Sequence, residues 1–104
     1  MVTSLANSEL RQAYDSLVMF SGTIKANEFI QNFYHELDYI GENPYHYAVY
    51  YEGEWSSMGV RRFIIGHYRV FYQVYPHKKE ILVFHVIHAA MDLTKFLHDI
   101  DFDK

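Results

Sequence analysis

Three arginines lie in or beside segments built for β-structure, Arg61 and Arg62 in VRRFII and Arg69 in HYRVFYQVY. A guanidinium offers a planar fork of donors matched to carboxylates and phosphates, so their positions indicate where an anionic ligand or partner would be held. Side chains alternate along a strand. Tyr68, Val70, Tyr72 and Val74 therefore share one side, and Arg69, Phe71, Gln73 and Tyr75 the other. The second set is the more polar and is expected on the face that helices leave open, with Arg69 in the middle of an aromatic, hydrogen-bonding surface suited to a ligand or peptide. Arg61 and Arg62 are adjacent and so face opposite sides, one of them beside Arg69 or across from it. Tyr68, Phe71 and Tyr72 are the expected aromatic support, since Tyr serves surfaces that are dry at one end and wet at the other.

Seven histidines raise the question of a metal, but their spacing does not support one. His85 and His88 are an odd number apart and point to opposite faces of a strand, and no His-x-x-x-His pair falls on an expected helix. His88 stands at a strand end, where it serves either as a hydrogen-bonded structural residue or as a general base, which needs a partner in reach. No Ser-His-Asp signature, Gly-rich phosphate loop or pair of catalytic carboxylates stands out. Neither metal nor cofactor is expected.

The elements that position these residues follow from periodicity. Residues 4–20 carry Leu10, Ala13, Tyr14 and Leu17 at helical spacing, with Val18 beside them, Ser4 or Ser8 as N-cap and Gly22 as the stop. In the next segment Ala26, Ile30, Phe33, Leu37 and Ile40 step by four and three, while Lys25, Glu28, Asn32, Glu36 and Asp38 face water. Thr23 caps its start, and Gly41 with Pro44 ends it. So short a link makes the pair an antiparallel hairpin. A loop, EGEWSSMG, reads as a flexible or functional excursion. Strands are then expected at Val60–Ile65, Tyr68–Tyr75 and Glu80–Ile87, joined by a Gly66-His67 turn of type II′ and a turn over Pro76–Lys79. Links this tight make the strands antiparallel. Asp92 begins a short last helix packing Leu93, Phe96 and Leu97. The whole chain, residues 1–104, is read as one α+β domain: a helical hairpin on one face of an antiparallel sheet of three or four strands, with a short C-terminal helix.

Composition sets outer limits. Cysteine is absent, which excludes disulfides and thiolate zinc sites. No apolar run approaches the roughly 18 residues of a membrane span, and no leader-like segment opens the chain, so a soluble cytoplasmic protein is expected. The net charge of −4 is unevenly spread. Residues 1–58 hold two cations against eight anions, and residues 59–98 six cations against two anions. The basic half is where an acidic partner or phosphate would be met, but six cations under an acidic total are few for a nucleic-acid surface.

The ordered set of helix hairpin, Asn-Pro, VRRF, HYRVFYQV and a closing strand leading to His88 and Asp92 resembles the RelE/ParE superfamily of bacterial type II toxins, over most of the chain. That resemblance implies a compact α+β toxin, plasmid stabilisation as the role of its module, and a cognate antitoxin that wraps around it, as a hetero-oligomer or beside a homodimer. RelE-like members cut messenger RNA on the ribosome with basic residues that offset transition-state charge. ParE-like members are associated with DNA gyrase, and their action is binding. Arg69 keeps a RelE-like context, but Ala89, Ala90 and Met91 stand where a nuclease carries a basic residue, and Phe96 where a Tyr hydroxyl is common. Neither Ala nor Phe can donate a proton or hold a phosphate charge. The resemblance is therefore closer to the ParE-like branch. It implies a non-enzymatic toxin with Arg61, Arg62, Arg69 and His88 as recognition residues. The alternatives are a nuclease using Arg69 and His88, or a toxin fold that has lost toxicity.

Overall fold

The computed structural model describes residues 1–50 and 53–89. The expected C-terminal helix, with Ala90, Met91, Asp92 and Phe96, lies outside them. Helices α1 (Ser4–Ser21) and α2 (Thr23–Glu42) come first, then a single 3-10 turn at Gly53–Ser56 and three strands, β1 (Arg61–Ile65), β2 (Tyr68–Tyr75) and β3 (Glu80–His88). The strands form one antiparallel sheet in the order β1-β2-β3. The expected α+β architecture is observed over the described residues.

The cap of α1 is Thr3, one residue ahead of the expected serine, and its hydroxyl accepts from the Ala6 N–H at 3.1 Å. Ala6, Leu10 and Ala13 are buried along one stripe. At Gly22, φ is +90°, a conformation that other residues rarely adopt, so the chain reverses within one residue. The buried stripe of α2 is Ala26, Phe29, Phe33 and Ile40, with Ile30 and Leu37 packed at its margins. Glu36, expected to face water, is half-buried and accepts a hydrogen bond from the Tyr47 hydroxyl. Helix α1 lies against α2 and β3, while α2 reaches β1 and β3.

These stripes cover the inner face of the sheet, where Phe63, Ile65, Val70, Tyr72, Ile81, Val83 and Val86 join the helix residues in one core. A second core lies on the outer face: Tyr50, Trp55, Val60, Phe71, Phe84 and Ile87. Gly66 opens the β1–β2 turn with φ +57°, and no positive φ occurs at His67, in keeping with a type II′ turn. Between β2 and β3 the register skips. Phe71 pairs with His85 and Tyr72 with Val83, so Phe84 is an extra residue and the strand is bulged there. Phe84 and His85 consequently both lie near the Trp55 ring, at 5.7 and 6.2 Å between centroids.

Candidate binding face

Register decides which of the sequence-selected residues can act together, because directly paired residues share a side of the sheet. Arg62 pairs with Phe71, Ile64 with Arg69, and Arg69 with Ile87, so all of these belong to the outer face. Arg62 and Arg69 are diagonal neighbours on it, roughly 7–8 Å apart by ordinary strand geometry. The Arg62 guanidinium lies 4.6 Å from the centre of the Tyr50 ring, a cation–π arrangement that holds the charge over an aromatic face. Ile64 beside it is 61% exposed. An open groove of about 530 Å³ runs along the same strand, lined by Tyr47, Ala48, Val49, Tyr50, Arg62, Phe63 and Ile64.

The outer face is not open throughout. Phe71, expected on an accessible surface, is fully buried because Trp55 sits edge-on over it, 4.5 Å between ring centres, with Tyr50 at 5.4 Å. The loop read as an excursion is thus a plug. Its 3-10 turn brings a wholly buried tryptophan down onto β2 and β3, and the Met58 carbonyl accepts from the Gln73 amide at 3.1 Å. Among the described residues the half-buried Arg62 and Arg69 and the exposed Ile64 form an accessible strip at the β1 side of this face, and Gln73 and Tyr75 are accessible at its other end.

Arg61 lies on the other side. It pairs with the inner-face residue Tyr72, its guanidinium donates to the Tyr47 carbonyl, and it covers the Tyr45 ring at 5.0 Å. Tyr47 in turn stacks on Phe63 and donates its hydroxyl to Glu36, while Tyr72 donates to the Pro44 carbonyl at 3.2 Å. Burial pushes the Tyr47 phenol up to about 12, helped by the Glu36 carboxylate, and burial also raises Tyr72 and Tyr68. This cluster ties the segment after α2 to the start of β1. Tyr68, Phe29 and His88 form another inner-face group, with ring centres 5.3 and 5.1 Å from Tyr68.

The sequence-selected residues therefore separate. Arg62 and Arg69 come together on the outer face, whereas Arg61, Tyr68, Tyr72 and His88 belong to the inner one. Two further participants escaped sequence reading. Trp55 carried one weak signal, as the sole tryptophan of the chain set between glycines. Glu9 gave none, since nothing local marks a carboxylate that meets β3 across 76 residues of sequence. Among the described residues no group of three or more His, Asp or Glu side chains is arranged to hold a metal ion. No helix among them is long and apolar enough to cross a membrane.

Comparison with known proteins completes the picture. A chain described as "Chromosomal ParDE TA system from P. aeruginosa" superposes with a TM-score of 0.65 at 20% identity, covering 84% of this chain and 90% of that one. No curated protein matches. The family model described as "ParE toxin of type II toxin-antitoxin system, parDE" matches residues 1–93, which hold both helices, all three strands and the arginine strip. The chain therefore belongs to the ParE toxin family of type II toxin–antitoxin systems.

Proposed function

We propose that this protein acts as a toxin by binding its target through the outer-face strip of Arg62, Ile64 and Arg69, and that it is not a nuclease. The observation that carries this reading is the placement of Arg69 and His88. A phosphate clamp and a general base must converge on one reacting phosphate, within hydrogen-bond reach of it. Here the residue paired with Arg69 is Ile87 and the residue paired with His88 is Tyr68, so the two side chains leave the sheet on opposite faces. Two guanidiniums beside an exposed aliphatic side chain suit an acidic, partly apolar protein surface instead. DNA gyrase is the target that the family resemblance implies.

The same reading includes a cognate antitoxin, action in the cytoplasm and a role for the module in plasmid stabilisation. An antitoxin accounts for the tip of the helical hairpin, where Met19, Phe20 and Ile24 are 78%, 82% and 76% exposed. Apolar side chains this close together on a monomer surface mark an interaction site.

Induced expression without an antitoxin tests the proposal. Growth arrest with DNA-damage signalling is expected, and it should be lost in Arg62→Ala with Arg69→Ala while the protein still accumulates. Rapid messenger cleavage abolished by Arg69→Ala would overturn the binding mechanism in favour of a ribosome-dependent nuclease. Unchanged growth at verified protein levels would overturn toxicity itself and leave a toxin fold that serves only as a binding partner.

A further inference from the structure

Among the described residues strand β3 is outermost in the sheet, and the unpaired side of such a strand is a template for another strand. The chain covers part of it with its own first residues. The Val83 N–H donates to the Met1 carbonyl at 2.9 Å, the Thr3 N–H to the Val83 carbonyl at 2.9 Å, and the Met1 amino group to the Ile81 carbonyl at 3.0 Å. Beyond Thr3 the chain turns into α1 and leaves the edge. The Val86 N–H, past the bulge, is then met by a side chain: Glu9 Oε1 accepts it at 2.9 Å. Both Glu9 oxygens also lie 3.1–3.2 Å from His85 Nδ1. His85 is itself only 6% exposed, and its ring lies nearly parallel to Trp55.

We propose that Glu9 is an edge guard, a positioning residue that keeps β3 from pairing with β3 of a second copy of this chain. Its carboxylate occupies the place that the carbonyl of an added strand would take on Val86. It also puts a negative charge where the two-fold mate would bring another, and like charges set face to face across such a seam are repelled. The strand behind the guard, ILVFHVIH, has no Asp, Glu, Lys, Arg, Pro or Gly and is rich in β-branched and aromatic residues, the composition of a segment that self-associates when exposed. A second copy is the natural occupant because an antiparallel edge meets its own image across a two-fold axis.

The test compares wild type, Glu9→Ala and Glu9→Gln by light scattering over a concentration series, with amide exchange read at Val86. Glu9→Ala should strengthen self-association at least tenfold. Its Val86 amide should exchange at least tenfold faster when dilute and regain protection as concentration rises, which places the contact on β3. Glu9→Gln keeps a carbonyl for the Val86 N–H but loses the charge, so its Val86 amide should exchange as in wild type while its self-association falls between wild type and Glu9→Ala. A folded Glu9→Ala with wild-type association and exchange would overturn the proposal, as would a dimer that leaves Val86 unprotected. If Glu9→Ala does not fold, wild type alone decides: a Val86 amide exchanging at the rate of an open chain would overturn the guard. None of these readouts depends on toxicity.

Discussion

The two faces of the sheet are covered in different ways. The inner face lies under two helices of 18 and 20 residues, whose stripes spread its burial over many side chains. Among the described residues the outer-face core is closed by Trp55, on a four-residue turn, together with Tyr50, and beside it Arg62, Ile64 and Arg69 stay at least partly accessible. A face covered by long periodic elements is redundant, and a face covered by the few side chains of a short loop is not. The accessible strip lies beside this small plug, so the regular layer and the strip proposed for recognition sit on opposite faces.

Removing the plug tests this contrast most severely. Trp55→Ala should cost about 4 kcal/mol, as for other buried aromatics cut to alanine, with the loss of amide protection greatest around Phe71 and Phe84 while α1 and α2 stay protected. Equal loss of protection on both sides would erase the distinction. Next come the adjacent arginines. Arg61→Ala removes a charged donor from the Tyr47 carbonyl and should lower stability by about 2 kcal/mol in urea unfolding. Arg62→Ala should cost less than about 1 kcal/mol, the scale of an exposed cation–π contact. The opposite order would mean that the face assignment is wrong.

Smaller effects sharpen the contrast. Gly66→Ala places a side chain at φ +57° in the turn that sets the β1–β2 register, and should cost about 1 kcal/mol. The inner-face cluster also has a pH signature. The folded protein holds the Tyr47 phenol up to about 12 against 10.0 unperturbed, so the fold favours its neutral form. That contribution is complete below pH 10 and is lost as pH rises through about 12. Denaturant midpoints measured from pH 9 upward should fall across this window, and Tyr47→Phe should flatten the decline. An unchanged slope would mean that Tyr47 is not held as described.

How far the molecule was legible in its sequence follows the same division. The four-three spacing of Ala26, Ile30, Phe33, Leu37 and Ile40 and the tight turns gave the helices and strands nearly to the residue, because periodicity records which side of an element is dry. Alternation along β2 likewise separated Arg69 from Tyr68. The burial of Phe71 was not legible, because a turn of four residues has no period, and its tryptophan meets Phe71 and Phe84 only through tertiary packing. Pairing was invisible for the same reason: that Arg62 rather than Arg61 shares a face with Arg69 depends on register, which neighbouring residues do not encode. Glu9 is the extreme case, a helical carboxylate whose partner lies near the far end of the described chain.

The bulge in β3 has a consequence for the kinds of change the strand can accept. The extra residue at Phe84 resets the alternation, so Val83 and Val86 both face the helices although they are three apart. The strand is in effect two short reading frames spliced out of phase. A one-residue deletion or insertion on either side of the splice would swap dry and wet positions all the way to the nearest turn. Length changes in this chain should therefore be tolerated at Pro76–Lys79 and rejected along β3, except for removal of Phe84 itself, which would straighten the ladder and leave the other side chains on their faces.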